Sequence, residues 1–119
     1  MKLKEVVASF GYAFNGICLF FKNERNAKIH AAAAILVLLL GFYCNLKNTE
    51  WLWVALAITL VLASEMMNTA IEGICNKISP QRDTDIKIIK DISAGFVLIA
   101  SFFALAVAAI IFLPYLFVL

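Results

Sequence analysis

The chain has 119 residues, of which 64% are hydrophobic and only 15% carry a charged side chain. Such a length is typical of one domain, and the share of charged residues lies well below that of a soluble globular protein. The three cysteines are far apart in the chain and match neither a disulfide framework nor a zinc-binding pattern. The composition therefore predicts a single integral-membrane domain over residues 1–119, and no nucleic-acid partner is expected.

The first element is an amphipathic stretch over residues 1–23. Apolar side chains recur along it at intervals of three or four residues, as on one face of an α-helix: Leu3, Val7, Phe10, Phe14, Ile17 and Phe21. Polar residues interrupt the segment too often for it to cross a bilayer, so we expect a helix that lies along the membrane surface. The helix can also pack against the protein's own membrane bundle, and the two interpretations are compatible.

A dense polar run over residues 22–30 leads into a long apolar segment. It contains Glu24, Arg25, Asn26 and Lys28, and it ends at His30. The simplest interpretation is a solvated turn next to the membrane. A single histidine at a membrane boundary is weak evidence for a site, so no role is predicted for His30.

Three further segments are long and apolar enough to cross a membrane, over residues 29–46, 51–78 and 92–119. Thr49 can cap the second of these helices, and Pro80 ends it. Asp83 or Thr84 can cap the third. The sequence therefore predicts an all-α membrane protein with one amphipathic surface helix and three transmembrane helices.

Lysine and arginine are distributed unevenly among these segments. Five precede the first span: Lys2, Lys4, Lys22, Arg25 and Lys28. Four accompany the link between the second and third spans: Lys77, Arg82, Lys87 and Lys90. The first hairpin has only Lys47, and none follows the third span. Because cytoplasmic loops carry the excess of positive charge in membrane proteins, the N-terminus and the second link are predicted to be cytoplasmic.

Polar residues collect on one face of the second span, in its second half. At about 100° per residue, one helix face carries Glu65, Asn68, Thr69, Glu72 and Asn76. Glu65 would lie roughly 20 Å along a helix that starts at Trp51, still within a hydrocarbon core of roughly 30 Å. A charged residue at the centre of a membrane helix costs about 2.5–3.5 kcal/mol on insertion scales, so it usually faces a partner or a cavity. This polar face is therefore the candidate site.

Three polar groups are predicted to meet at the cytoplasmic edge of the membrane. They are the run around Glu24, the polar face of the second span, and Lys87 with Lys90 and Asp91. Carboxylates there can hold Mg²⁺, lysines can neutralise phosphates, and a deeper carboxylate can accept a proton from a lipid hydroxyl. These parts fit phosphoryl transfer from a soluble nucleotide to a membrane alcohol. A small proton-coupled transporter fits the same glutamates, and so does a structural bundle with interhelical polar contacts.

The polar face also carries a recognisable motif. Residues 65–72 read E-M-M-N-T-A-I-E and match E-x-x-N-[ST]-A-I-E, the hallmark of the prokaryotic diacylglycerol kinase family. Further matches are residues 13–16 (Ala-Phe-Asn-Gly), residues 23–26 (Asn-Glu-Arg-Asn), and Lys90-Asp91 before several small residues. The matches cover nearly the whole chain in the right order. The chain therefore resembles this family of small membrane enzymes, which have a surface helix and three spans.

The resemblance implies a role for each acidic residue of the candidate site. Glu65 resembles the general base that accepts the proton of the lipid hydroxyl. Asn68 would orient that base or the lipid head group. Glu24 and Glu72 resemble the carboxylates that hold Mg²⁺ on ATP.

The resemblance also implies a nucleotide side of the site. Lys90 would contact phosphates, and Asp91 and Asn76 would lie near the nucleotide. At Asn76-Lys77 the sequence departs from the family, which usually has Asp-Arg or a similar pair there. The departure removes a negative charge from the nucleotide side and leaves the reaction unchanged.

The resemblance further implies an ATP-dependent lipid kinase in the bacterial inner membrane, with a cytoplasmic active site. Diacylglycerol, converted to phosphatidic acid, is the first candidate for the acceptor. The run over residues 24–30 looks more like the branch that contains undecaprenol kinases, so undecaprenol is the alternative. The family is homotrimeric with sites shared between subunits, which suits a chain whose three thin spans can hardly enclose a site alone.

Overall fold

The computed structural model describes residues 2–118 and consists of four α-helices. They are α1 (Leu3–Asn23), α2 (Arg25–Cys44), α3 (Asn48–Ile78) and α4 (Thr84–Val118). The last three are long and apolar enough to cross a membrane. The predicted all-α architecture with three candidate spans is confirmed, while the predicted limits at Met1 and Leu119 lie outside the described residues.

The helices extend further into polar sequence than hydropathy predicts. α2 begins at Arg25 rather than at residue 29, and α4 begins at Thr84 rather than at residue 92. A hydropathy pattern marks apolar residues, whereas a helix continues for as long as its backbone hydrogen bonds do. The turn predicted over residues 22–30 is correspondingly reduced to Glu24, whose φ of −95° and ψ of 122° are extended.

The N-terminus of α4 is closed by Asp83, as predicted. Its Oδ1 accepts hydrogen bonds from the backbone N–H groups of Asp85 and Ile86 at 2.9 and 3.1 Å. An aspartate in this position satisfies helix N–H groups that have no partner within the helix. At the other side of the link, α3 ends at Ile78, two residues before Pro80. Pro80 therefore ends α3 as predicted.

The predicted cap of α3 at Thr49 is wrong, because α3 begins one residue earlier, at Asn48. The helix start is instead closed by Glu50, whose Oε1 accepts a hydrogen bond from the backbone N–H of Lys47 at 2.9 Å. A glutamate at the third helical position commonly makes this bond to the residue that precedes the helix. Thr49 thus lies in the first turn of α3 rather than before it.

The most extensive helix contact is between α3 and α4, and α2 packs against α3. Two hydrogen bonds show that α3 and α4 are antiparallel: Glu50 with Tyr115 near one end, and Asn76 with Lys90 near the other. The buried apolar core lies toward the Glu50 end and consists of Leu46, Val54, Ala57, Val107, Ile111 and Phe112. The polar face of α3 lies toward the Asn76 end. Packing of the core at the other end fixes the register of α3 against α4, and with it the α4 residues that lie beside the polar face.

The connection between α2 and α3 is held by a close contact of Gly41 with Trp51. A Cβ atom added at Gly41 would lie 2.5 Å from the Trp51 ring and 3.1 Å from Leu46. The Trp51 ring also packs against Phe42, with ring centroids 4.9 Å apart. Glycine is therefore needed at residue 41 because the ring occupies the space of a side chain.

Candidate active site

Glu65 lies within α3 and has only 5% of its surface exposed. Its Oε1 is 3.2 Å from Nε2 of His30 on α2. An ionised carboxylate only accepts hydrogen bonds, so a bond to it requires the imidazole proton on Nε2. Oε2 of Glu65 has no hydrogen-bond partner within residues 2–118, and it is not one of the fully enclosed polar atoms. Glu65 is thus a buried carboxylate with one oxygen held and the other available.

Asn68 and Glu72 follow Glu65 by about one and two turns of the same helix. The Asn68 Nδ2 donates a hydrogen bond to Glu72 Oε1 at 3.4 Å. Oδ1 of Asn68 is enclosed and has no partner in the part of the chain that the structure describes. Glu72 is exposed. The two glutamates therefore share one helix but differ in environment, since Glu65 is buried and Glu72 is exposed at the surface of the chain.

The residues predicted to bind the nucleotide lie where α3 and α4 approach their link. Nζ of Lys90 donates a hydrogen bond to Asn76 Oδ1 at 2.6 Å, across the two helices. Lys87 and Asp91 lie one turn apart on α4 and pair at 2.6 Å, with both side chains largely exposed. The structure thus brings Asn76 and Lys90 together, while Asp91 pairs with Lys87 instead.

Glu24 lies on the link between α1 and α2 and is half-buried. The ion pairs within residues 2–118 do not include it, so its predicted meeting with the α3 and α4 residues is not seen as a direct contact. These residues also contain no group of three or more His, Cys, Asp or Glu side chains that could hold one metal ion. Mg²⁺ usually takes only one or two protein carboxylates and completes its shell with water and phosphates. Glu24 and Glu72 therefore stay a predicted metal pair.

No local pattern in the sequence marks three polar side chains that the structure places in or next to the site. His30 holds Glu65, Ser64 is fully buried, and Ser93 is buried with no partner for its Oγ among the described residues. Ser64 satisfies its hydroxyl by donating to the Val61 carbonyl at 2.8 Å. The usable signal for His30 is that it is the only histidine of the chain, at the start of an apolar run. Its partner lies 35 residues away in sequence, which no periodicity reveals.

An apolar cavity of about 120 Å³ lies between α2, α3 and α4. His30 is the one polar side chain among its described lining residues, and the others are aliphatic or aromatic, such as Val61, Ala104 and Phe112. The cavity therefore offers an apolar space beside the residue that holds Glu65.

Known proteins resemble this chain over almost its full length. The family model for prokaryotic diacylglycerol kinase matches residues 11–112. An undecaprenol kinase of Bacillus subtilis (strain 168) is 36% identical over 113 residues, which are 95% of this chain and 92% of that protein. A diacylglycerol kinase of Synechocystis sp. is 32% identical over 110 residues, which are 92% of this chain and 63% of that protein. A diacylglycerol kinase of Haemophilus influenzae is 26% identical over 98 residues, which are 82% and 83% of the two chains.

The matched region contains every residue of the candidate site, from Glu24 on the α1–α2 link to Asp91 on α4. A kinase family of this kind implies ATP and a lipid as substrates, which favours the kinase interpretation over a transporter or a structural bundle. With its three candidate spans, the chain is a multi-pass membrane protein. It belongs to the prokaryotic diacylglycerol kinase family of lipid kinases.

Proposed function

We propose that the protein transfers the γ-phosphoryl group of ATP to the primary hydroxyl of a membrane lipid, with Glu65 as the general base. The observation that supports this most strongly is the contrast between a buried carboxylate at Glu65 and an exposed one at Glu72. At about 1.5 Å per residue, the two lie roughly 10 Å apart along α3. A lipid hydroxyl that approaches within the membrane and a nucleotide that approaches from water would meet between them.

Glu65 accepts the proton of the lipid hydroxyl while the hydroxyl oxygen bonds to the γ-phosphorus and the bond to ADP breaks. Because Oε1 is engaged by His30, Oε2 is the oxygen that receives the proton. Asn68 helps to orient Glu65 or the head group of the lipid, one turn along α3. The single proton of the hydroxyl goes to Glu65, so the enclosed Oδ1 of Asn68, which has no donor among residues 2–118, would take its donor from another group of the bound substrates or from water.

Glu24 and Glu72 would hold Mg²⁺, which when bound would neutralise charge on the phosphate oxygens of ATP. The residues fit the ion in kind, because Mg²⁺ prefers carboxylate oxygens and Glu72 is exposed. Lys90 provides a cation for the phosphates, and its contact with Asn76 at 2.6 Å holds it between α3 and α4. Asp91, the next residue on α4, lies beside the nucleotide.

For the acceptor, we rank undecaprenol before diacylglycerol. The relative named as an undecaprenol kinase is 36% identical to this chain, whereas those named as diacylglycerol kinases are 32% and 26% identical. Both lipids present a primary hydroxyl, so the same base serves either.

The test is ADP release by the purified protein in mixed micelles that contain Mg²⁺, ATP and one of the two lipids. We expect release only in the presence of a lipid alcohol, and faster release with undecaprenol. The Glu65→Gln variant, prepared in the same micelles, is the matched control for contaminating ATPases. Release that does not depend on either lipid would contradict the proposal, and faster release with diacylglycerol would reverse the order of the acceptors.

We further propose that the protein is a homotrimer. Support comes from the small number of spans, because three helices of one chain can hardly enclose a site. The exposed Glu72 also leaves one side of the site open to residues of a neighbouring subunit. Chemical cross-linking in membranes should give a ladder that ends at three copies, and a ladder that ends at two would contradict the trimer.

The orientation that we propose puts the N-terminus and the active site in the cytoplasm of a bacterium, with α1 along the inner face of its inner membrane. The positive residues around α1 and the second link support it. Leu3, Val7 and Phe14 are 78%, 63% and 65% exposed, which leaves the apolar stripe of α1 available to lipid. Single cysteines at Asn48 and Gln81, in a background without native cysteines, should label from outside and inside respectively. Labelling of both from the same side would contradict the topology.

A further inference from the structure

We infer that His30 is a positioning residue for the reaction: its imidazole fixes the side chain of Glu65 and aims Oε2 at the lipid hydroxyl. The inference rests on the proposed role of Glu65 as the base. It concerns a residue outside the octapeptide motif, on a different helix, to which neither the motif nor the family match gives a role.

His30 lies on a face of α2 that has small residues next to it. Ala33 and Ala34, about one turn after it, line the same cavity as Ala57 and Val61 of α3. Small residues let two helices approach closely, so an imidazole on this face can reach a carboxylate on α3. The observed distance from Nε2 to Glu65 Oε1 is 3.2 Å, with side-chain exposures of 27% and 6%.

No other side chain in the described part of the chain donates a hydrogen bond to Glu65. The remaining described residues that line the cavity next to His30 are apolar and cannot replace the imidazole as a donor. A glutamate side chain has several rotatable bonds, and within residues 2–118 this is the one side-chain hydrogen bond that fixes its carboxylate. General-base catalysis depends on the base being within hydrogen-bond reach of the proton that it accepts. Loss of the bond should therefore slow turnover without affecting the nucleotide.

The contact itself is tested without any measurement of activity, because His30 is the only histidine of the chain. The protein is labelled with ¹⁵N-histidine in lipid nanodiscs, and its ring-nitrogen resonances are assigned without ambiguity. Glu65→Gln should shift the Nε2 resonance, whereas Glu72→Gln, two turns away on the same helix, should leave it in place. An Nε2 resonance that Glu65→Gln does not move would overturn the inference.

The positioning role is tested with two substitutions of the histidine. His30→Gln keeps an N–H donor of similar reach, whereas His30→Leu fills the same space without a donor. We expect kcat to fall at least about tenfold in His30→Leu, which corresponds to about 1.4 kcal/mol, and to recover in His30→Gln. The KM for ATP should change by no more than about twofold in both variants, because a substitution at one independent site affects another by no more than about this factor. Equal losses in both variants would mean that the residue serves packing alone and would overturn the inference.

A double variant separates this inference from the proposed function. If His30 acts through Glu65, His30→Leu should have no further effect on kcat when it is added to Glu65→Gln. A further fall of tenfold or more, the size expected for the single variant, would overturn the inference. If Glu65→Gln alone lowers kcat by less than about tenfold, the base assignment fails instead. If Glu65→Gln abolishes turnover but His30→Leu is as active as the wild type, only the role of His30 fails.

Discussion

The two ends of the α3–α4 pair differ in whether their polar side chains have hydrogen-bond partners. The core end contains the buried apolar cluster, and its principal polar side chains, Glu50 and Tyr115, are paired at 2.6 Å. The site end, from Glu65 to the Asn76–Lys90 contact, contains a buried carboxylate and two enclosed polar atoms without partners in the described chain, on Asn68 and Ser93. The α3–α4 pair therefore has an apolar core with paired polar side chains at one end and polar groups without partners at the other.

This difference indicates where stability and function reside. A buried polar group without a partner costs about 1–3 kcal/mol, so a fold tolerates it mainly where a ligand can satisfy it. Substitutions at the site end should therefore reduce activity more than stability. Substitutions at the core end should do the reverse.

The largest expected effect is that of Glu65→Gln. The amide keeps the shape of the side chain but cannot accept the proton, so kcat should fall about 10²–10⁴-fold, the usual contribution of a general base. The matched control is Glu50→Gln, which changes a glutamate of the same helix at the core end and should leave kcat unchanged. A fall of less than about tenfold in Glu65→Gln would exclude Glu65 as the base.

The next effect is on the Mg²⁺ requirement. Each of Glu72→Gln and Glu24→Gln removes one charge-assisted contact, worth about 1.5–3 kcal/mol, so the Mg²⁺ concentration for half-maximal rate should rise roughly 10–150-fold. Glu5→Gln on α1 is the control for the loss of one negative charge elsewhere. A normal Mg²⁺ titration in either site variant would remove that residue from the metal site.

At the core end, Gly41→Ala should destabilise the protein. The new Cβ would lie 2.5 Å from the Trp51 ring, which is itself packed against Phe42 and cannot move freely. Overpacking of this kind costs about 1–3 kcal/mol, and it should lower Tm in detergent while kcat per folded molecule stays normal. Gly16→Ala on α1 is the control, because no atom lies within 4 Å of its Cβ and the change should raise helix stability by about 0.5–1 kcal/mol. A lower kcat with an unchanged Tm in Gly41→Ala would contradict the assignment of stability to the core end and of activity to the site end.

The smallest expected effect is that of Asn76→Ala. The change removes the acceptor that holds Lys90 at 2.6 Å. One hydrogen bond contributes about 0.5–1.5 kcal/mol, so the KM for ATP should rise roughly two- to twelvefold with little change in kcat. Lys77→Met changes the neighbouring residue and serves as the control. A fall in kcat at constant KM would place Asn76 on the lipid side of the site.

The sequence carried enough information for the four helices, the three spans and the face that holds Glu65, Asn68 and Glu72, because hydrophobic runs and helical spacing are local properties. The same reasoning missed the start of α3, since Thr49 has the chemistry of a cap but Glu50 makes the bond. The polar first turns of α2 and α4 were also missed, because hydropathy does not detect a helix that continues into polar sequence.

The contacts between helices were beyond local patterns. His30 and Glu65 are 35 residues apart, and Asn76 and Lys90 are 14 apart, so their pairing depends on how the spans pack. The contact of His30 with Glu65 was therefore missed. The convergence of Asn76 and Lys90 at one end was expected from the antiparallel order of the spans. The pairing of Asp91 with Lys87, one turn apart within α4, was not expected.

The central claim is that Glu65 serves the lipid and Glu72 serves the nucleotide, and equilibrium ATP binding in the presence of Mg²⁺ tests it most directly. The Kd for ATP is measured for the wild type, Glu65→Gln and Glu72→Gln in identical nanodiscs without lipid acceptor. We predict a Kd within about twofold of the wild type for Glu65→Gln, as expected for an independent site, and a Kd at least about tenfold weaker for Glu72→Gln. Loss of ATP binding in Glu65→Gln, with normal binding in Glu72→Gln, would contradict the claim and exchange the roles of the two glutamates.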